Sequence, residues 1–273
     1  MAINYAEKYS SIVDERFSLG TLTAGMTNDS YDWLGVEAIK VYGVGTAAMN
    51  DYGTTGANRY GTPEDLQNTV QTLTLSKDRS FTFVIDRKSE DDTVGVMEAG
   101  KALARQINEV TIPEIDEYRI NAWVAGAGKT VTGAVTNENA YEEFLKVQEE
   151  LDNTKVPRGG RIAMCTPGYL NKLKRDDEFI KQGDASFVKL VEGQVGMCDG
   201  VPIKQAPASY FPANVDFLIM VPVATPCPVK LTEYKMHTDA PGISGTLCEG
   251  RIRYDAFVLN NKKNGICVHK SGE

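Results

Sequence analysis

Histidine is nearly missing from this chain, with only His237 and His269 in 273 residues. General acid–base catalysis draws on histidine more than on any other side chain. No serine stands in a G-x-S-x-G elbow either, so hydrolytic chemistry has little to work with. Both histidines lie in terminal strand-like segments and read as strand-face side chains. Basic charge is also short, 29 Lys and Arg against 37 Asp and Glu, a formal net charge of −8. A protein that grips nucleic acid by its phosphates carries the opposite surplus. The five cysteines (165, 198, 227, 248 and 267) are far apart and include no C-x-x-C pair. That argues against a disulfide framework or a zinc site and for buried thiols in a reducing compartment. Cys165 ends a strand ahead of a helix, where a thiolate could be stabilised. Its apolar neighbours favour a structural thiol instead. The acidic pair Asp91-Asp92 lacks further ligands at regular spacing and reads as charge at a helix start. No stretch reaches the roughly 18 apolar residues of a membrane helix, and no signal-peptide core opens the chain. The expectation is a soluble chain that is not an enzyme, with no cofactor and no metal.

The 42% hydrophobic content supports a sizeable core in one large domain or two smaller ones. Residues 1–35 show no strong period after Phe17. They read either as an arm lying along something else or as an N-terminal helix of the core. Two strands follow, at residues 36–44 and at 80–86, where Phe81, Phe83 and Ile85 alternate with Ser80, Thr82 and Val84. The stretch between them is dense in Gly, Asn, Asp and Thr, too polar to bury much surface. It reads as the tip of a two-stranded finger that a neighbouring subunit supports. From Asp92 a helix places Val96, Ala99, Leu103, Ile107 and Val110 on one face. Pro113 should break or kink it. Thr111 and Glu114 would then restart it as a capping box, and Gly126 and Gly128 would close it. Residues 139–151 form an amphipathic helix. "GRIAMCTPGYLNKLKRD" reads as a strand, then a helix entered at Thr166 and Pro167. A hairpin turns at Asp199-Gly200, with Pro202 restricting its second arm to an edge or irregular position. The chain ends in strands, the last two joined by "NNKKNG".

"GAGKT" at residues 126–130 looks like the end of a phosphate-binding loop, G-x-x-x-x-G-K-[ST]. The first glycine would have to stand at 123, where the residue is Trp123. Such a loop must leave a strand and open a helix. Here a helix precedes it and β-branched residues follow. A glycine hinge is the reading, without a nucleotide site.

In this order the elements resemble the major capsid proteins of tailed bacteriophages, the Hong Kong 97-type fold. The resemblance rests on "AINYAEKYSSIVDERF", the glycine-rich finger, "DRKSEDDTVGVMEAGKALARQINEVTIPEIDEYRINAW", "GRIAMCTPGYLNKL" and "GRIRYDAFVLNNKKNGICVHK". It implies an α+β fold made of an N-terminal arm over residues 1–35, an extended β-hairpin loop over 36–86 and a spine helix over 87–125. An axial domain over 126–215 and closing strands of the axial and peripheral domains over 216–273 complete it.

The function implied is self-assembly as pentamers and hexamers into an icosahedral shell around double-stranded DNA, in a virion built in the host bacterial cytoplasm. The acidic balance suits a wall that does not hold its contents tightly. Tyr52, Asn58, Arg59 and Tyr60 at the fingertip, and Glu7, Tyr9, Arg16 and Phe17 in the arm, are expected to touch neighbouring subunits. The finger's lysines, Lys40 and Lys77, are not at its tip, so the lysine–asparagine cross-link of some members is not carried over. The chain starts close to the arm, so a separate scaffolding protein and a portal are the expected partners. Two other readings stay open: an encapsulin-like compartment shell and an unrelated soluble α/β enzyme.

Overall fold

Three short runs, IAMC, VDFLIM and ICVHK, are apolar at consecutive rather than alternate positions. That is the pattern of strands covered on both faces. A computed structural model of the chain describes residues 21–33, 38–87, 99–182, 194–238 and 240–272. They divide into two compact units, one of Trp33–Leu75 and one of the rest.

The smaller unit holds β1 (Ala38–Val44) and β2 (Asn68–Thr74), paired antiparallel from Ala38↔Thr74 to Val44↔Asn68. A two-stranded antiparallel pair follows residue 38, but its return strand is β2. The strand read at residues 80–86 belongs elsewhere. The sequence NTVQTLT hides β2, because its β-branched threonines favour an extended chain while supplying almost no hydrophobic signal.

In the larger unit, β3 (Lys77–Asp86) lies in a three-stranded sheet of order β3-β10-β9, with β9 at Val229–His237 and β10 at Gly245–Tyr254. Phe81 and Phe83 of β3 and Tyr234 and Met236 of β9 pack over a long helix. That helix runs as α1 (Ala99–Gln106), a π turn (Ile107–Thr111) and α2 (Ile112–Ala125). The expected break at Pro113 does not occur. Pro113 has no N–H to return to a carbonyl, and the wide turn just before it absorbs the mismatch, with the Ile112 N–H donating to the Ile107 carbonyl. Thr111 is therefore helical and buried, its side chain caps nothing, and no capping box forms. Glu114 instead accepts from Arg79 Nε at 2.7 Å and from the Tyr254 hydroxyl at 2.9 Å. The π turn also rotates the apolar stripe, leaving Val110 exposed and burying Thr111 in its place.

A six-stranded mixed sheet has the order β4-β11-β8-β5-β7-β6. Its strands are β4 (Lys129–Thr132), β5 (Ile162–Cys165), β6 (Gln194–Cys198), β7 (Val201–Gln205), β8 (Val215–Met220) and β11 (Ile266–Lys270). The two-residue alternation sorts its side chains into two cores. Ala163, Cys165, Phe217, Ile219 and Cys267 meet α3 (Ala140–Asn153) and α4 (Pro167–Leu173). Met164, Leu218, Met220, Ile266 and Val268 join Ile120 and Trp123 of α2 on the other face. A short α5 (Asp177–Gln182) follows α4. As expected, Thr166 caps α4, accepting the Tyr169 N–H, with Pro167 in the first turn. Asp199 and Gly200, with φ of 46° and 77°, turn the β6–β7 hairpin. β7 is an inner strand, contrary to expectation. Pro202 is tolerated because pairing with β5 begins only at Ile203. β10 and β11, the strands that "NNKKNG" joins, do not pair with each other. The chain crosses there from the three-stranded sheet to the six-stranded one.

Candidate functional site

Beyond β1 the chain closes back on β2 through a polar loop held by few contacts. Gly45 donates to the Gln67 carbonyl, Gly53 to Arg59 and Gly61 to Asn58, each at 2.9 Å. Asn58 has φ of 57°, which asparagine tolerates better than most residues. Arg59 Nε donates to the Gly56 carbonyl at 3.2 Å. Tyr52 and Tyr60 meet edge to face with centroids 5.0 Å apart. Tyr52, Asn58, Arg59 and Tyr60 therefore do come together in one tip. Tyr60 keeps 85% of its surface in solvent and Met49 keeps 97%. Tyr42, Val44 and Val70 are also exposed on the paired strands, with Tyr42 directly opposite Val70. Together they leave an apolar patch exposed on the paired strands. The sequence reading found the tip and missed this apolar patch on the shaft, whose signal was Tyr42 and Val44 sharing one strand face. Glu7, Tyr9, Arg16 and Phe17 lie outside the described residues, as do Asp91 and Asp92.

The resemblance to a phosphate loop has no geometry behind it. Gly126 ends α2, its N–H donating to the Ala122 carbonyl, and Gly128 donates to Lys263. Lys129 then opens a strand, not a helix, and pairs with Glu150 at 2.7 Å. The cysteines are all buried. Burial pushes the Cys165 thiol up to about 12, far from thiolate reactivity.

His237 is exposed on β9, 3.5 Å from Glu249. His269 differs, being completely buried in the six-stranded sheet. Its Nδ1 lies 3.1 Å from Asp216 Oδ2 and its Nε2 lies 3.2 Å from Glu143 Oε2, while its ring stacks on Phe217 at 4.9 Å. Lys146 holds the other Glu143 oxygen at 2.9 Å, and the Ser271 hydroxyl donates to Asp216 at 2.8 Å. Burial alone would raise the Asp216 carboxyl. Hydrogen bonds from His269 and Ser271, with the charges of His269 and Lys172, outweigh it and hold the group below its ordinary value. His269 stands on a strand face, as the sequence indicated, but its two carboxylate partners come from distant segments. His269 and Glu143 are buried and Asp216 partly so, and together they tie α3 to β8 and β11. No group of three or more His, Cys, Asp or Glu suited to a metal occurs among the described residues. No helix there is long and apolar enough to cross a membrane.

Sheets, long helix and hairpin in this order form a fold that solved structures share. A structure from Mycobacterium phage Che8 matches with a TM-score of 0.71 at 16% identity, covering 91% of this chain and 90% of that one. The capsid structure of the cyanophage P-SCSP1u matches at 0.68 and 13%, covering 88% and 84%. A virus-like particle from Pyrococcus furiosus matches at 0.61 and 11%, covering 98% and 100%. No protein-family model and no curated protein matches the sequence. The chain has the α+β fold of phage major capsid proteins, the Hong Kong 97-type fold.

Proposed function

We propose that this chain is the major capsid protein of a tailed phage, assembling as pentamers and hexamers into an icosahedral shell around double-stranded DNA. The observation that carries the reading is likeness to phage capsid structures over about nine-tenths of the chain. The finger supports it. A two-stranded ribbon is marginal by itself in water, and this one exposes Tyr42, Val44, Met49, Tyr60 and Val70. In the assembled shell those side chains, with Tyr52, Asn58 and Arg59, lie against adjacent copies. The long helix serves as the spine, the six-stranded sheet as the axial domain, and the three-stranded sheet as part of the peripheral domain. The arm residues Glu7, Tyr9, Arg16 and Phe17 join the same contacts. A scaffolding protein and a portal complete the assembly, and the place of action is the virion.

Deletion of residues 48–66 tests this. The expected product is a folded, soluble subunit that forms no closed shells, seen by sedimentation and negative-stain microscopy. Normal particles from the deletion would refute the role of the finger. The Pyrococcus virus-like particle, covered over its full length, supports a second reading, a compartment shell of the encapsulin type. Particle content separates the two: nucleic acid in the first case, protein cargo in the second.

A further inference from the structure

Residues 21–28 precede every helix and strand described above, and a sequence reading would leave them in a loose arm. They are instead held at almost every residue. Two turns fold the segment on itself, the Ala24 N–H donating to Thr21 at 3.2 Å and the Met26 N–H to Thr23 at 3.0 Å. Gly25, with φ of 74°, supplies the left-handed residue inside the second of them. Met26 is fully buried among Ile120, Trp123 and Leu218 of the core. Lys204 of β7 donates to the Ala24 carbonyl at 2.5 Å. The Thr225 hydroxyl donates to the Met26 carbonyl at 2.9 Å, and the Asn28 N–H donates to the Thr225 carbonyl at 2.9 Å.

The centre of this grip is a charged pair inside α2. Asp116 accepts the Leu22 N–H at 2.8 Å on one oxygen. On the other it accepts the Thr23 hydroxyl at 2.6 Å and the Thr23 N–H at 3.4 Å. The same hydroxyl accepts from Arg119 Nη1 at 2.8 Å, and Arg119 Nη2 donates to the Cys227 carbonyl at 3.2 Å. One threonine oxygen thus bridges a buried carboxylate and a buried guanidinium. Burial pushes the Asp116 carboxyl above its ordinary value, with the bonds from Thr23 and Leu22 opposing it only in part. Two apolar side chains would fill the same space with no desolvation cost. The partners of Asp116 lie within residues 21–23, so the pair is matched to this segment.

We propose that residues 21–28 are a latch, keyed by the Asp116–Thr23–Arg119 relay, that ties the N-terminal segment to α2 and β7 and opens as a unit without unfolding the sheets behind it. A pull on the chain ahead of Thr21 enters the body at the second turn of α2, beside the π turn. The latch is a property of the single chain and stands independently of the capsid reading.

Hydrogen exchange read by mass spectrometry on the full chain tests the latch with two variants. Thr23→Val keeps the shape and removes the bridging hydroxyl; Thr23→Ser keeps the hydroxyl. The valine variant is expected to speed exchange in the peptide covering residues 21–28 about tenfold or more, the ratio implied by losing a hydrogen bond to a charged group. Peptides from α3 and β8 keep their protection, and the serine variant behaves as the parent. Unchanged protection of residues 21–28 in the valine variant would overturn the relay. An equal rise in α3 and β8 would overturn the claim that the latch opens separately.

Discussion

Replacing His269 with leucine removes the side chain that bridges the Glu143 and Asp216 carboxylates. The His269 side chain is 0% exposed, and those of Glu143 and Asp216 are 6% and 14% exposed. Water therefore has almost no access to Glu143 and only limited access to Asp216 to replace the lost partner. Glu143 keeps Lys146 and Asp216 keeps Ser271, so neither is left entirely alone. Removing one partner from a buried charged group costs about 3–5 kcal/mol. For a unit of this size, each kcal/mol lowers Tm by about 2–4 °C, so the expected loss is roughly 6–20 °C by calorimetry. The pH dependence has a definite sign. Asp216 is held below its ordinary value in the folded state, so its contribution is present above the unfolded carboxyl pKa of about 3.9 and is lost as pH falls through the folded value. The gap between parent and variant is therefore widest near neutrality and narrows in acid. A loss of under about 1 kcal/mol at neutral pH, or a gap that widens in acid, would refute the reasoning.

The Gly128→Ala variant places a Cβ 2.6 Å from the Lys263 carbonyl and the Asn264 nitrogen. The chain must shift where α2 hands over to β4, with a loss of about 1–3 kcal/mol in urea unfolding. None of the five cysteines should react with an aromatic disulfide reagent in the native subunit, because all are buried and burial raises the thiols of Cys165 and Cys267 to about 12. All five should react once denaturant unfolds the chain, and rapid native labelling would contradict the packing.

Much of the scaffold was legible because its signals are local. The alternation of Phe81, Phe83 and Ile85 gave a strand with a single buried face. Thr166-Pro167 and Asp199-Gly200 carry cap and turn chemistry within a few residues. What stayed hidden depends on partners far away in the chain. Asp116 and Arg119 look like the solvent face of an amphipathic helix until Thr23, more than ninety residues earlier, closes over them. Glu143 on α3 is buried for the same kind of reason, its partner His269 lying far along the chain; Arg161 before β5 is buried among partners close in sequence. Arg161 Nη2 donates to Asp152 at 2.7 Å and to the Val156 carbonyl at 2.6 Å. The return strand of the finger escaped because threonine and glutamine carry extended geometry without apolar periodicity. The fingertip was legible from composition alone, since glycine, asparagine and tyrosine at that density cannot build a core. The apolar patch on the finger shaft needed the register that sets Tyr42 against Val70.

The central claim is that copies of this chain cover one another's fingers in a closed shell. Negative-stain microscopy of the purified full-length protein, at concentrations where assembly is favoured, tests it most directly. Uniform, closed, hollow particles are the predicted result. A field holding only small monodisperse subunits, unchanged as concentration rises, would contradict it.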